Sequence, residues 1–312
     1  MNRKIFHTPP LGDLTAPLND FSVSKPSQPL AATGDTKPQR RRRAPSITEI
    51  PEAPAYRVQP LNHLTSKGGK WRNEAMRSHR TPTILWFTRG QGRVTVAGVT
   101  RGFGPHNFVF LPPRTMYGFE AVGQVYGHIV HIPDDPAFDL PATPLHMRFR
   151  EVTQQNEISN LIESLNREIE GDFAGREKAM ALQAGLIAVW LNRQTQVMPD
   201  YDLTPDAARR LAAAFTAQVE TEFRTHHAVS HYAARLGVTP THLSRACNIA
   251  CGRPASAVLS DRVHFEARRM LRETDLPIQT VAEKLGFHSA AYFSRAFRRE
   301  TGVSPRAFRS TK

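Results

Sequence analysis

The sequence predicts an α+β protein in which short β-strands are followed by helices and then by an all-α region. Three observations predict it. Between residues 56 and 145, β-branched and aromatic runs alternate with glycine- and proline-containing segments. Between 146 and 198, apolar residues recur at helical spacing. From 207 to 312, one short helical pattern occurs twice.

The β-rich region contains four clear runs. They are TILWFT (83–88), RVTVA (93–97), NFVFL (107–111) and GHIVHI (127–132), and turn-forming segments separate them. Short strands at such regular spacing favour a barrel or jelly roll over 56–145.

Two apolar stripes predict two helices between 146 and 198. The first comprises Ile158, Leu161, Ile162, Leu165 and Ile169, and the second Met180, Leu182, Leu186, Val189 and Trp190. Such stripes pack either on the barrel of the same chain or on a second protomer. We expect a homodimer seam here.

The repeated pattern reads YAARLGVTPTHLSRACNIACG at 232–252 and VAEKLGFHSAAYFSRAFRRETG at 281–302. In each copy a small residue, Ala233 or Ala282, lies four positions before a glycine that can end a helix. Thr239 and Ser289 can then cap a second helix. Helix, tight turn and capped helix together predict two helix-turn-helix units, whose second helices enter the DNA major groove.

A single helix from Ala255 to about Glu273 is predicted to join the two copies, because its apolar residues fall on one face. About 18 helical residues span ~27 Å. Such a rod can hold two reading helices about one DNA turn, or ~34 Å, apart.

Charge and composition bound the remaining choices. The chain carries a net charge of +13, and the region from Ala207 onward holds 17 Lys and Arg against 8 Asp and Glu. This excess favours a polyanionic partner. Residues 1–55, with the arginine run 40–43, predict a solvated arm without a packed core, although the run could also touch DNA or an acidic partner. A linker is expected over 199–206.

The sequence contains no apolar run long enough to cross a membrane and no apolar secretory signal, so we expect a cytoplasmic protein and no membrane partner. Its two cysteines, Cys247 and Cys251, lie one helical turn apart. They are either small packing residues, which we favour, or a redox or metal sensor.

The segments 268–278 (RRMLRETDLPI), 281–287 (VAEKLGF) and 292–309 (YFSRAFRRETGVSPRAFR) closely resemble the DNA-binding domain of AraC/XylS-type transcription regulators. The resemblance covers about 206–310. It departs from the family at Cys247, where a large apolar residue is usual, and in the shorter exit that follows Gly252.

The resemblance implies which side chains touch DNA. The base-contacting positions carried over are Thr241, Ser244, Arg245, Ala291, Tyr292 and Arg295. A guanidinium can bind guanine O6 and N7 in bidentate fashion, and Tyr292 and Ala291 suit thymine methyls. Lys284, Arg298 and Arg299 are expected at phosphates, which fix register but carry no sequence information.

The glycine and proline pattern from Gly90 to Pro113 resembles the cupin-type sensor domain that often precedes this DNA-binding domain. A small effector, such as an aromatic or sugar acid, is therefore expected inside an apolar cavity. Its expected lining residues are His79, Trp86, Arg89, Tyr117 and His128. We predict neither metal nor cofactor, because His128 and His131 are three apart and so face opposite sides of one strand.

The resulting hypothesis is a DNA-binding transcription regulator, not an enzyme, whose effector changes how two protomers meet promoter DNA. The partners it implies are double-stranded DNA, the effector, a second copy of the chain and RNA polymerase. Two alternatives stay open: a cupin metal-dependent enzyme fused to a DNA-binding module, and an architectural DNA-binding protein without a ligand.

Overall fold

The computed structural model describes residues 56–61, 75–197 and 206–310. The arm predicted over 1–55 lies outside the described residues, as does the predicted linker apart from Asp206. We call residues 56–197 the sheet unit and residues 206–310 the helical domain.

The sheet unit is built on antiparallel strands. They are β1 (Arg57–Pro60), β2 (Thr83–Val96), β3 (Val99–Phe103), β4 (Asn107–Leu111), β5 (Tyr117–His131) and β6 (Leu145–Arg148). Their order is β1-β5-β2-β4-β6, and β3 pairs with β2. This arrangement confirms the α+β class.

The sheet is open, so the prediction of a closed barrel is wrong on this point. β1 and β6 end the strand order, and no ladder between them occurs in the part of the chain that the structure describes. Each has only four residues, and β1 packs beside the first long helix, α1 (Val152–Glu170), instead of closing the ring.

β2 and β5 run through both halves of the sheet. Register shifts between Phe87 and Arg89 and between Arg89 and Gln91 mark a β-bulge in β2. Because a bulge bends a strand without ending it, the run 83–88 and residues 93–96 of the next run both belong to β2.

One face of the sheet is filled by its own side chains. The Phe87 and Phe103 rings stack with centroids 4.0 Å apart, and Phe119 meets both rings edge-on. Leu85, Val109 and Ile129 are buried in the same cluster. These residues pack the face on which the barrel interpretation expects a ligand.

Helices α1 and α2 (Arg176–Val197) cover the opposite face. The first predicted apolar stripe lies on α1 and is buried or half-buried against the sheet of the same chain, which is the alternative to the expected dimer seam. On α2 the second stripe divides. Met180 and Trp190 are buried, whereas Leu182, Leu186 and Val189 are 62%, 52% and 47% exposed.

The helical domain contains α3 (Ala207–Glu222), α4 (Val229–Arg235), α5 (Pro240–Cys251), α6 (Ala255–Glu273), α7 (Ile278–Lys284), α8 (Ala290–Thr301) and α9 (Pro305–Ser310). The predicted connecting rod is confirmed as α6, with the same bounds. Met76 and Met116 of the sheet unit are part of this domain's hydrophobic core. The two parts of the chain are therefore packed together through shared apolar contacts.

Among the helices described, none combines the length and the hydropathy that a bilayer span requires.

Candidate nucleic-acid interface

Two helix-turn-helix units form at the positions that the repeat predicts. In the first, α4 leads through Gly237 to α5, and in the second, α7 leads through Gly286 to α8. Ala233 and Ala282 are fully buried where the paired helices approach each other. Both glycines have a positive φ, +68° and +77°, as the predicted helix-ending turn requires.

Both second helices begin at the predicted caps. The Thr239 hydroxyl accepts a hydrogen bond from the backbone N–H of His242 at 3.2 Å. The Ser289 hydroxyl accepts one from the backbone N–H of Tyr292 at 3.1 Å. Each hydroxyl satisfies an amide that would otherwise lack a partner at the helix start, so each fixes where the helix begins.

Each second helix has a buried side and an exposed side. Leu243 and Cys247 of α5, and Phe293 and Phe297 of α8, are buried in the domain core. Burial raises the pKa of the Cys247 thiol to about 12. Cys247 thus fills the apolar position at which the family pattern has a larger residue, which agrees with a packing role.

The rod α6 is held by an ion network as well as by apolar contacts. Arg262 donates to Glu220 at 2.6 Å and lies 3.3 Å from Glu266, and its guanidinium stacks over the Phe223 ring at 3.9 Å. Burial raises the pKa of Glu266, but the Arg269 hydrogen bond and the surrounding guanidinium groups outweigh it. The pKa therefore lies below its ordinary value.

A family model described as a helix-turn-helix domain matches residues 232–311. The arabinose operon regulatory protein of Salmonella typhimurium is 31% identical to this chain over 86 residues, which are 28% of the chain and 31% of that protein. The helical domain is an AraC-type helix-turn-helix domain.

A second relative agrees with this assignment. The transcriptional activator RhaR of Cronobacter sakazakii is 32% identical over 99 residues, which cover 32% of this chain and 34% of that protein. The chain thus matches about a third of the length of these two relatives. In structure, the chain is similar to apo ToxT from Vibrio cholerae, with a TM-score of 0.41, 12% identity and coverage of 83% of this chain and 98% of that chain.

In the AraC-type domain, the positions expected to contact bases are accessible. Thr241, Arg245, Ala291, Tyr292 and Arg295 are exposed, and Ser244 and Lys284 are half-exposed. Arg298 and Arg299 are also exposed, on the last turn of α8. Within the described ranges, no hydrogen bond or ion pair engages the guanidinium groups of Arg245, Arg295, Arg298 and Arg299. These cations are available to DNA.

The first reading helix lies near the sheet unit without being hidden by it. α3 and α5 pack beside β3, and the backbone at Gly98 approaches the carbonyl of Ala212. Thr241 and Arg245 remain exposed on α5 despite this contact. The docked arrangement therefore leaves the predicted DNA-contacting side chains accessible.

The structure brings only two of the five expected effector residues together. His79 Nε2 lies 3.1 Å from the Tyr117 hydroxyl. Trp86 pairs with His128 on the opposite face of the sheet, where its indole N–H donates to Ser159 on α1. Arg89 is exposed at the bulge and lies over the Tyr126 ring. These five residues do not form one pocket.

The predicted relation between the two strand histidines is confirmed. His128 pairs with Trp86 and His131 with Thr83, so the two side chains lie on opposite faces of the sheet. His131 lies near His79, with ring centroids 4.6 Å apart. Burial, together with a smaller contribution from the Arg57 charge, lowers the pKa of His131 to about 3.

Two further clusters have no counterpart among the sites predicted from the sequence. Ligand atoms of Glu222, His226 and His231 lie within 4.8 Å of one another at the corner between α3 and α4. The Glu222 carboxylate is bonded there by His231 and Arg235, which accounts for its charge. The second cluster lines a cavity between the sheet unit and α6. The second cluster has no short-range signal, because its members come from distant parts of the chain, whereas the first lies within residues 222–231.

Proposed function

We propose that this chain is a sequence-specific, double-stranded-DNA-binding transcription regulator whose reading helices are α5 and α8. One observation carries the proposal. Two capped helix-turn-helix units are joined by one rod, and each presents on its second helix an exposed arginine that has no hydrogen bond or ion pair within the described residues. The rod has 19 residues, or about 28 Å, which is close to the separation of successive major-groove segments.

The proposed role of each DNA-contacting residue follows from the chemistry of its side chain. Arg245 and Arg295 read guanine through two parallel N–H donors. Thr241 and Ser244 donate to or accept from base edges on α5, and Ala291 and Tyr292 contact thymine methyls on α8. Lys284, Arg298 and Arg299 neutralise phosphates and so make binding depend on salt.

The regulator acts as a homodimer, in this proposal, through the exposed stripe of α2. Leu182, Leu186 and Val189 fall at positions i, i+4 and i+7 and form one apolar face. An apolar face at this spacing suits packing against the same helix of a second copy. A small-molecule effector and RNA polymerase complete the proposed partners. That the chain is not an enzyme stays a prediction.

The test uses the full chain, a duplex selected from a random library, and a random duplex. Arg295→Ala is expected to weaken the selected duplex by about 1–3 kcal/mol, roughly 5- to 150-fold, and to leave the random duplex largely unaffected. Arg299→Ala is expected to weaken both duplexes equally and to lower the salt slope by about 1.

Arg148→Ala is the matched control, because Arg148 is exposed on β6. It should change neither affinity. Equal losses for Arg295→Ala on both duplexes would contradict base reading by α8, and no preference of the wild type for any selected duplex would overturn the proposed function.

A further inference from the structure

A cavity of about 490 Å³ lies between the sheet unit and the rod α6. The sheet unit contributes β1, the segment 77–81 and the loop before β5. The helical domain contributes the end of α3, one side of α6 and Phe308 of α9. Its size is within the range of small-molecule sites, about 300–1,000 Å³.

The lining is strongly cationic. It contains nine arginines and three glutamates. The three carboxylates are already bonded: Glu220 to Arg262 and Ser78, Glu266 to Arg224 and Arg269, and Glu273 to Arg269. These pairs neutralise only part of the positive charge, so the cavity attracts an anion.

Arg77 is the lining residue whose buried guanidinium most lacks hydrogen-bond acceptors among the described residues. The residue is only 6% exposed, and two of its nitrogens, Nε and Nη2, are buried without a hydrogen-bond partner in the part of the chain that the structure describes. Its guanidinium lies 5.6 Å from the Tyr117 ring and 5.9 Å from the Phe119 ring, and neither ring accepts these N–H groups as an oxygen would. A buried cation whose donors are unmet is costly, so a ligand, an ion or water is expected to meet them.

The backbone holds this guanidinium in place. Arg77 donates its backbone N–H to the Tyr117 carbonyl at 2.8 Å, and its own carbonyl accepts from the Tyr117 N–H at 2.7 Å. Arg57, on β1, adds a second lining guanidinium whose Nε is buried and has no hydrogen bond to any residue that the structure describes. Three unmet donors, two on Arg77 and one on Arg57, therefore belong to one cavity.

His79 adds a neutral polar group to the lining. Burial, His131 and the nearby guanidinium groups hold the pKa of His79 well below its ordinary value. At neutral pH its ring therefore carries one N–H donor and no charge. The positive charge of the cavity is supplied by arginines alone and is independent of pH in the physiological range.

We propose that this cavity binds a small molecule through an oxyanion group, a carboxylate or a phosphate, which Arg77 and Arg57 hold from the sheet unit while arginines of α6 face it from the helical domain. The assignment of this cavity as an anion site does not depend on the proposed function. Its assignment as the effector site of the regulator does rest on that function. An anion that contacts both the sheet unit and the helical domain favours the arrangement in which the two are packed together, because it binds that arrangement more tightly.

The test is thermal unfolding of the full chain with sodium phosphate or sodium citrate, each compared with sodium chloride at equal ionic strength. At least one oxyanion is expected to raise the Tm saturably, by about 3 °C or more. A response to phosphate alone assigns a phosphate group, and a response to citrate alone assigns a carboxylate.

Arg77→Met is expected to weaken that response at least tenfold and to raise the Tm of the anion-free protein, because it removes a buried, unmet charge. A structural role for Arg77 predicts the opposite sign, a lower Tm. Arg148→Met is the control and should leave both values unchanged. If Arg77→Met does not fold, Arg57→Gln supplies the same comparison of anion response.

Two outcomes overturn the inference: no saturable shift with either oxyanion, or a shift that survives Arg77→Met and Arg57→Gln. DNA binding by the same preparation separates this inference from the proposed function. Specific DNA binding without an anion response overturns the inference alone. An Arg77-dependent anion response without specific DNA binding supports the anion site and overturns the regulator.

Discussion

The two turn glycines allow a controlled comparison, because each belongs to one copy of the repeat. Gly237 and Gly286 occupy equivalent turns and have φ values of +68° and +77°. A Cβ added at Gly237 meets no atom within 4 Å, whereas a Cβ at Gly286 falls 2.2 Å from the carbonyl oxygen of Arg224. The same alanine substitution therefore tests backbone strain alone in one unit and strain plus a collision in the other.

The expected magnitudes follow from these two geometries. Gly237→Ala places an L-residue in the left-handed region and is expected to cost about 1–2 kcal/mol of the free energy of unfolding. Gly286→Ala carries the same cost, and its Cβ must also move more than ~1 Å to reach an ordinary contact distance. The neighbouring Phe223 is buried under Arg262, so the Arg224 backbone has little room to yield. A total of about 3–5 kcal/mol is expected.

Urea unfolding followed by circular dichroism at 222 nm measures both variants against the wild type under one set of conditions. Equal losses for Gly237→Ala and Gly286→Ala would refute the reasoning. They would show that the contact between the second turn and the end of α3 does not constrain the fold.

Three further predictions concern the remaining features. His131→Gln should reduce the acid sensitivity of the sheet unit. The pKa of His131 in the folded state is about 3, so below pH 6.5 the unfolded state binds a proton that the folded state excludes. Between pH 7.5 and 5.0 the free energy of unfolding of the wild type should therefore fall by about 2 kcal/mol more than that of the variant, as measured by urea unfolding with tryptophan fluorescence. Leu186→Lys should weaken self-association at least roughly tenfold in sedimentation equilibrium, because it places a charge on the exposed apolar face of α2. The Cys247 thiol should react with a disulfide reagent at pH 7.5 at least about 100-fold more slowly in the folded than in the unfolded chain, since burial raises its pKa to about 12.

Matched substitutions on exposed sites control the first two experiments. His288→Gln replaces an exposed histidine and controls for the substitution itself, while Val122→Lys alters an exposed apolar residue of β5 and should leave self-association unchanged. An unaltered pH slope in His131→Gln, or a protein that is monomeric before Leu186 is changed, would contradict the respective prediction. For Cys247, the contradicting result is a folded chain that reacts as fast as the unfolded one.

Local patterns predicted most of the helical domain from sequence. The rod from Ala255 to Glu273 and the caps at Thr239 and Ser289 depend on residues close in the chain, and the structure confirms all three. The strands were harder, because the segment 89–92 looks like a turn but forms a bulge within β2. The periodicity of apolar residues indicates which residues share a face, but it does not distinguish a turn from a bulge that preserves strand pairing.

Sequence could not choose between the two faces of the sheet. Trp86 and Tyr117 are both buried aromatic residues, yet one faces α1 and the other lies on the opposite face near His79. Alternation predicts that faces differ but not which face meets a helix. The sequence also did not indicate the proposed anion-binding role of Arg77. This role depends on the burial of Arg77 and on arginines nearly two hundred residues later in the chain.

The rod connects the proposed effector site to the proposed DNA contacts without any intervening element. Val263 and Ala267 of α6 are buried in the core shared by both helix-turn-helix units, while Phe265 and Arg269 line the cavity. Asp261, on the same helix, accepts the backbone N–H of Met76 at 3.0 Å and so ties α6 to the sheet unit. Because one rigid helix both spaces the reading helices and forms a wall of the cavity, an anion that stabilises this wall acts on the element that sets their spacing.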